Sequence, residues 1–115
     1  MSFYFYTYIF TQKNKMEAST ISYHFETKVW KHNAPASWYF VSVPKNLSKE
    51  IRSLFQNLEE GWGRMPCEAK VGNTLWKSAI WYDTKQQCYI LPLKADIRKK
   101  EHIETEQDIV VTVYL

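Results

Sequence analysis

A short run of basic residues is the first group in the sequence with a recognisable chemistry. It consists of Lys94, Arg98, Lys99 and Lys100. An arginine side chain can grip a phosphate through two parallel hydrogen bonds, so the run is a candidate anion or nucleic-acid site. Several acidic residues follow at once, within residues 101–108, and they would oppose a polyanion. The competing interpretation is a solvated helix face whose charge is balanced by its neighbours.

Aromatic side chains offer a second chemistry, the binding of a flat or apolar ligand. The candidates are Trp62, Trp76, Trp81, Tyr82 and Tyr89. Large aromatic side chains on the strands of a small barrel usually fill its interior, so core packing is the competing interpretation. We expect Trp62 to be exposed, because Gly61 and Gly63 flank it in a loop. The candidate ligand-binding residues are therefore Trp62, Lys94, Arg98 and Lys99.

The histidines and cysteines form no pattern that specifies metal binding or catalysis. His24, His32 and His102 lie in different segments. Cys67 and Cys88 have neither CxxC nor metal-ligand spacing and lie in strand patterns, as unreactive core thiols do. The sequence has no P-loop, GxGxxG, HExxH or nucleophile-elbow motif. We therefore expect no catalytic residues, no metal and no cofactor.

Length, composition and charge define a broad class. A chain of 115 residues corresponds to one domain, and its 45% hydrophobic and 23% charged residues exclude a wholly disordered chain. The 17% aromatic content favours a strand-rich fold with a bulky core. The net charge is +3, but residues 16–115 carry 13 basic and 12 acidic residues, which is poor evidence for a nucleic-acid or membrane partner. Without a secretion signal we expect reduced thiols and a cytoplasmic protein.

Residues 1–19 form an N-terminal extension ahead of a single domain at residues 20–115. The apolar run at residues 3–10 is too short to span a bilayer and lacks the flanks of a signal peptide. Three interpretations stay open: translation starts at Met16 and the start is misassigned, the segment adds an edge strand, or it is an interface-seeking tail. The edge-strand interpretation rests on Tyr4, Tyr6 and Tyr8, which alternate with Phe3, Phe5 and Thr7.

Hydrophobic periodicity in the body predicts six strands and two short helices. The strands are expected at residues 21–29, 38–43, 65–71, 74–82, 88–93 and 109–115, and the helices at residues 47–58 and 95–100. We expect a loop at residues 31–37, a two-residue hairpin turn at Gly72-Asn73, and a helix cap at Asn46 or Ser48. No βαβ rhythm supports a parallel sheet, so the prediction is a mainly β fold, a small closed or nearly closed barrel.

Two segments of the body resemble each other. In each, a strand runs up to a proline, Pro44 or Pro92, and the helix that follows carries an Ile-Arg pair. The pairs are Ile51-Arg52 and Ile97-Arg98. This similarity is consistent with two related halves around a pseudo-twofold axis.

The ordered motifs of the body also point to a known family. They are WYFVSVP at residues 38–44, WKSAIW at 76–81, YILPLK at 89–94, IRKK at 97–100 and DIVV at 108–111. Over residues 21–115 the chain resembles the bacterial domain-of-unknown-function family numbered nineteen-zero-five. The resemblance implies a double-split β-barrel, similar to AbrB/MazE-type swapped hairpins joined in one chain, and a family without an established activity. In AbrB-like proteins, a region similar to the segment that runs here from Pro92 to Arg98 faces DNA.

The chain departs from that family in the loop before the last strand. Gln107 stands where members usually have a glycine before the acid Asp108, and Glu101-His102-Ile103 lacks another loop glycine. These glycines would allow a positive φ in a tight turn. Their absence leaves the loop conformation open, but not the fold.

The function expected from the sequence is a non-enzymatic binding or structural module for a small ligand or a protein partner. The alternative is a nucleic-acid-binding regulator by analogy with AbrB-like barrels, an argument that rests on fold alone. An enzyme is the third possibility, and no membrane partner is expected.

Overall fold

A computed structural model of the chain describes residues 8–11, 20–32 and 37–115. In this part of the chain the strands are β1 (Tyr8–Thr11), β2 (Thr20–His32), β3 (Trp38–Ser42), β4 (Arg64–Val71), β5 (Thr74–Asp83), β6 (Cys88–Pro92) and β7 (Asp108–Tyr114). The helices are α1 (Lys45–Phe55) and α2 (Ala95–Lys100), and 3₁₀ turns lie at Gln56–Leu58 and Gly61–Gly63.

Six of the strands close into an antiparallel barrel. The sheet order is β2-β3-β6-β5-β4-β7, and β7 pairs back with β2 from Ser22–Tyr114 to Lys28–Asp108. Closure gives each of these strands two neighbours, which removes the unpaired edges of an open sheet. The predicted six-strand barrel is thus confirmed. None of the helices that the structure describes is long and apolar enough to span a bilayer.

The N-terminal extension contributes one short strand to this sheet. β1 pairs antiparallel with β2, from Tyr8 opposite Tyr23 to Thr11 opposite Thr20. The predicted edge strand, whose alternation runs over residues 3–8, overlaps β1 at Tyr8. Its other residues and the predicted start at Met16 lie at residues 1–7 and 12–19, outside the described residues. The start of translation stays a prediction.

The barrel core is made by side chains that alternate along the strands. β2 buries Tyr23, Phe25 and Val29, whereas His24 and Glu26 on its other face are exposed. The same alternation, predicted from the sequence, is found in β4, where Met65, Cys67, Ala69 and Val71 are buried. Burying apolar surface at about 25 cal/mol per Å² is the main stabilising contribution to such a core.

The helix α1 packs on one end of the barrel through Leu47 and Ile51, which are buried. The predicted cap at Asn46 or Ser48 is wrong, because the helix already begins at Lys45 after Pro44 and has no side-chain cap. Ser48 is instead buried inside the first turn. Its hydroxyl donates to the carbonyl oxygen of Val43 at 3.1 Å and accepts from the backbone N–H of Tyr89 at 3.0 Å.

Two predicted loops turn out differently in detail. β2 continues to His32, so the loop predicted at residues 31–37 starts later, and residues 33–36 of it lie outside the described residues. Before β7, His102 and Glu106 adopt positive φ angles of 53° and 68°. The tight turn that glycines would serve in the family is therefore made here by residues with side chains, at some cost in backbone strain.

The strands β3 and β6 lie antiparallel across an approximate twofold centred on Val41 opposite Leu91. Matching hydrogen bonds run from Val43 N to Tyr89 O at 2.9 Å and from Leu93 N to Tyr39 O at 2.8 Å. These pairs relate positions fifty residues apart, so Ser48 corresponds to Arg98. The sequence similarity pairs Arg52 with Arg98, so it differs from the structural correspondence by about one helical turn.

Candidate functional site: an aromatic groove on the barrel wall

Three adjacent strands present a continuous apolar row on the outside of the barrel. Val41 of β3 and Leu91 of β6 face the core, so their neighbours Phe40 and Pro92 face outward, and these two are paired across the strands. Ile90 in turn pairs with Trp81 of β5. Because side chains opposite each other on one sheet face are in contact range, these pairs form one surface.

This row is the floor of an open groove of about 550 Å³. Its lining comprises His32, Trp38, Phe40, Trp62, Trp81, Tyr82, Asp83, Ile90 and Pro92. The Trp38 ring stacks against Phe40 with centroids 6.4 Å apart, and Trp38 is 55% exposed. A contiguous aromatic surface left open to water typically marks an interaction site.

Trp62 stands over the groove on a tight loop. The loop is closed by backbone hydrogen bonds from Glu60 N to Arg64 O (2.6 Å) and from Gly63 N to Glu60 O (3.2 Å). Trp62 has a positive φ of 66° and is 95% exposed, as the flanking glycines predicted. A large side chain in this backbone region is strained, and such strain often accompanies a functional position.

Arg64 and Glu60 flank the Trp62 loop, and Arg64 contacts the neighbouring strand β5. Arg64 and Glu60 form an ion pair at 2.6 Å, and the Arg64 guanidinium lies 5.6 Å from the centroid of the Trp81 ring. Gly63 follows Trp62 with a φ of +71°, and a Cβ there would lie 3.2 Å from the Tyr82 Cβ. The loop therefore packs closely on β5, which fixes where Trp62 emerges.

Asp83 supplies the carboxylate of the groove. Its Oδ1 accepts hydrogen bonds from the backbone N–H groups of Lys85 and Gln86, at 2.9 and 3.3 Å, and its Oδ2 accepts from the Gln86 amide at 3.1 Å. Ser42 links this turn to β2, since it donates to Gln86 Oε1 and accepts from the Trp30 indole. Asp83 is thus held in one position at the end of β5.

A partly buried polar cluster adjoins the loop, and we call it the Glu59 cluster: Glu59, Tyr89, Arg52 and Tyr82. The Tyr89 hydroxyl donates to the Glu59 carboxylate, and Arg52 Nε lies 3.6 Å from Glu59 Oε2. The Arg52 guanidinium stacks on the Tyr82 ring at 3.7 Å. Burial, followed by the hydrogen bond to Glu59, raises the pKa of Tyr89 above its ordinary value of 10.0.

The structure divides the aromatic candidates between core and surface. Tyr89 is fully buried and packs edge-on against Tyr82 at 5.2 Å. Trp76 also packs against the core. Trp62 and Trp81 line the groove, together with Tyr82. The core interpretation is therefore confirmed for Tyr89 and Trp76, and the ligand-binding interpretation stays a prediction for the residues that line the groove.

The basic candidates do not line the groove. Lys94 and Lys99 are exposed, on the turn before α2 and on α2 itself. Arg98 is half-buried, with its guanidinium 3.7 Å from the Tyr39 ring and its Nε donating to the Leu93 carbonyl at 3.1 Å. The structure thus brings Trp62 together with other aromatic residues and not with Lys94, Arg98 or Lys99.

The two thiols and the His24 imidazole are engaged in the fold, whereas His32 lines the groove. Cys67 and Cys88 are free and buried, and burial raises the pKa of the Cys67 thiol from 9.0 to about 12. His24 exchanges a 2.8 Å hydrogen bond with the Thr112 hydroxyl. In the described part of the chain, no three His, Cys, Asp or Glu side chains come together in a way that could hold a metal ion.

Sequence reasoning missed most of the groove floor. The residues it did not single out are His32, Trp38, Phe40, Asp83, Ile90 and Pro92. One signal was present, since the segment at residues 38–43 is apolar on both faces. A segment that is apolar on both faces is typical of a central strand, which β3 is, but in a barrel only one face can meet the core. A strand that is apolar on both faces therefore also predicts an apolar outer surface.

These features define a small closed β-barrel with an aromatic groove on its outer wall. A family model for a domain of unknown function, DUF1905, matches residues 25–113. The chain therefore belongs to the DUF1905 family, as its ordered motifs predicted. Among curated proteins, none matches the chain.

Proposed function

We propose that the protein is a non-enzymatic binding module, and that its aromatic groove takes the planar or apolar group of a small ligand. The observation that carries this proposal is the position of Trp62, a 95% exposed indole on a strained backbone beside the groove. A side chain that is almost fully exposed contributes little to the core. Its placement is therefore better explained by a partner that covers it.

The dimensions of the groove support a small ligand. Ligand pockets commonly occupy about 300–1,000 Å³ and combine apolar walls with a few polar groups. The volume of about 550 Å³ lies in this range, and the described walls are aromatic or aliphatic apart from His32 and Asp83. A flat group entering the groove would stack on Phe40 or Trp81 and be covered by Trp62.

A binding role also agrees with the state of the nucleophile candidates. A thiol reacts as thiolate, and the raised pKa of Cys67 keeps this form scarce near neutral pH. Reduced, buried cysteines are typical of a cytoplasmic protein, which is the location we propose.

A nucleic-acid-binding role has less support. Phosphate contacts need free lysine and arginine side chains, and Arg98 is engaged with Tyr39 and the Leu93 carbonyl. The remaining lysines of the run do not line the groove. The analogy with AbrB-like barrels stays a prediction from fold, and we do not extend it to function.

The proposal is tested by NMR titration of the full chain with indole, a neutral planar probe. The indole N–H signals of the tryptophans are assigned by single Trp-to-Phe variants. We expect Trp62, Trp81 and Trp38 to shift in a saturable manner, while Trp76, packed against the core, serves as the internal reference.

Two variants make the titration specific. Trp62→Ala should weaken indole binding at least about fivefold, since base-to-ring stacking on a protein aromatic contributes on the order of 1–3 kcal/mol. Leu75→Ala is the matched control, because Leu75 is a 54% exposed apolar residue of β5 outside the groove. Equal shifts at Trp76 and Trp62, or equal loss in both variants, would contradict the proposal.

A further inference from the structure

The described lining of the groove carries one negative charge. Among the lining residues that the structure describes, Asp83 is a carboxylate and none is a lysine or an arginine. Among the residues that the structure describes, no lysine or arginine forms an ion pair with Asp83. The nearby Arg64 is neutralised by Glu60 at 2.6 Å. The groove therefore disfavours an anionic ligand and favours a cationic one.

The aromatic walls of the groove also favour a cationic ligand. The face of a tryptophan or phenylalanine ring carries partial negative charge and attracts a cation within about 6 Å of its centroid. Trp81 already shows this property, since the Arg64 guanidinium lies 5.6 Å from its ring. Trp38, Phe40 and Trp62 add further rings around the same space.

The hydrogen bonds that hold the Asp83 carboxylate leave room for a contact with a ligand. Asp83 accepts its hydrogen bonds from two backbone N–H groups and one neutral amide, and none of these donors is a cation. A carboxylate has about four acceptor positions, so one further contact remains available. The turn holds Asp83 at the end of β5, beside Trp81.

From this juxtaposition of aromatic rings and one carboxylate, we propose that the groove selects a small organic cation with apolar substituents, of the quaternary ammonium type. Such a cation is weakly hydrated and covers its charge with methyl groups, so it can leave water for an aromatic surface at low cost. A small primary ammonium ion is more strongly hydrated and gains less. This inference rests on the proposed function, and it adds the chemical class of the ligand.

The test compares two probes of the same shape, choline and 3,3-dimethylbutan-1-ol, which differ in a charged nitrogen against a neutral carbon. Both are titrated into the full chain at pH 8, where an ordinary imidazole is neutral, with the groove tryptophan signals as readout. We expect choline to bind about five- to tenfold more tightly, in the range of a partly exposed cation–π contact with one added charge. Equal affinities would overturn the inference.

Charge variants separate the carboxylate from the rings. Asp83→Asn removes the charge and keeps one oxygen that can accept from the backbone N–H groups of Lys85 and Gln86, but it loses the hydrogen bond that Oδ2 accepts from the Gln86 amide. It should reduce the preference for choline about threefold, with little change for the neutral alcohol. Asp108→Asn, an equal change of net charge on β7 outside the groove, should leave both affinities unchanged. An unaltered preference in Asp83→Asn would contradict the role of this carboxylate in ligand selection.

The two proposals fail in different ways. If indole shifts the groove signals but choline has no advantage over its neutral analogue, the ligand class is wrong and the binding module stands. If indole, choline and the alcohol all leave Trp62 and Trp81 unshifted, the binding module itself is wrong.

Discussion

The two helix–strand units of the barrel share a backbone but differ in the segment that comes after the helix. In the first unit β3 leads into α1, and in the second β6 leads into α2. Each unit donates an equivalent backbone hydrogen bond to the strand of the other unit. One runs from the Val43 N–H to the Tyr89 carbonyl oxygen, and the other from the Leu93 N–H to the Tyr39 carbonyl oxygen. Each also stacks an arginine on a tyrosine, with both guanidinium-to-ring distances at 3.7 Å.

These two connecting segments contribute very differently to the molecular surface. After α1, residues 56–63 contribute Glu59 to the Glu59 cluster and Trp62 to the groove lining. After α2, residues 101–107 make a turn into β7 and contribute nothing to the groove lining. The repeated backbone therefore provides the scaffold, and the segment after α1 gives it an asymmetric site.

Glu59→Ala should have the largest effect on stability. The substitution removes the carboxylate that accepts from the Tyr89 hydroxyl and pairs with Arg52. The loss of this partner costs on the order of 3 kcal/mol. Arg98→Ala in the second unit removes one ring contact and one hydrogen bond, at about 1–2 kcal/mol. Urea unfolding measures both free energies.

Glu60→Ala is the control for this comparison, because its carboxylate is exposed and bonds only to the exposed Arg64. Its free energy of unfolding should change by less than about 1 kcal/mol. If Arg98→Ala cost as much as Glu59→Ala, the two units would be energetically equivalent and the comparison would be wrong.

Alkaline pH should weaken the fold through Tyr89 of β6, whose hydroxyl belongs to the Glu59 cluster, and through Cys67 of β4. Burial raises the pKa of Cys67 from 9.0 to about 12, and it raises that of Tyr89 above 10.0. Because the folded values exceed the unfolded ones, the unfolded chain releases these protons first. The stabilisation is therefore complete below pH 9 and is lost as pH rises from 9 towards 12.

The free energy of unfolding, measured in urea from pH 8 to 11, should fall by up to about 1.4 kcal/mol per pH unit for each group. Tyr89→Phe should make this fall shallower above pH 10, since one of the two groups is gone. A stability that stayed constant across this range would show that neither proton is held by the fold.

Trp62→Gly should have the smallest effect on stability and a clear effect on binding. Glycine adopts the φ of 66° without strain, and an indole that is 95% exposed takes little burial energy with it. We expect the free energy of unfolding to stay within about 0.5 kcal/mol of the parent value, while indole binds at least about fivefold more weakly, as in Trp62→Ala. A loss of several kcal/mol would mean that Trp62 supports the fold instead.

Much of the fold was accessible from the sequence because local patterns and turn chemistry agree with it. The alternation of Met65, Cys67, Ala69 and Val71 predicted β4, and Gly72-Asn73 predicted the hairpin to β5. The helix start was missed, because Ser48 has the side chain of a cap but is held inside the turn by Val43 and Tyr89. A residue forty-one positions away decides that contact, and no local pattern contains it.

The candidate site was only partly accessible. Trp62 was identified correctly as exposed, since its two glycine neighbours are a local signal. Phe40, Ile90 and Trp81 lie on three different strands, and only the pairing of these strands makes them neighbours. Arg98 looked like a phosphate ligand from its neighbours in sequence, whereas its actual partner is Tyr39, at the far end of β3.

The order of apolar and polar residues by itself determined the six barrel strands, the two helices and the family, because each strand reports its own buried face. The tertiary structure alone decided which outward-facing rings meet, and it placed Asp83 among them. The physical reason is that barrel closure sets the register between strands distant in sequence, and that register fixes the shape and charge of the outer surface.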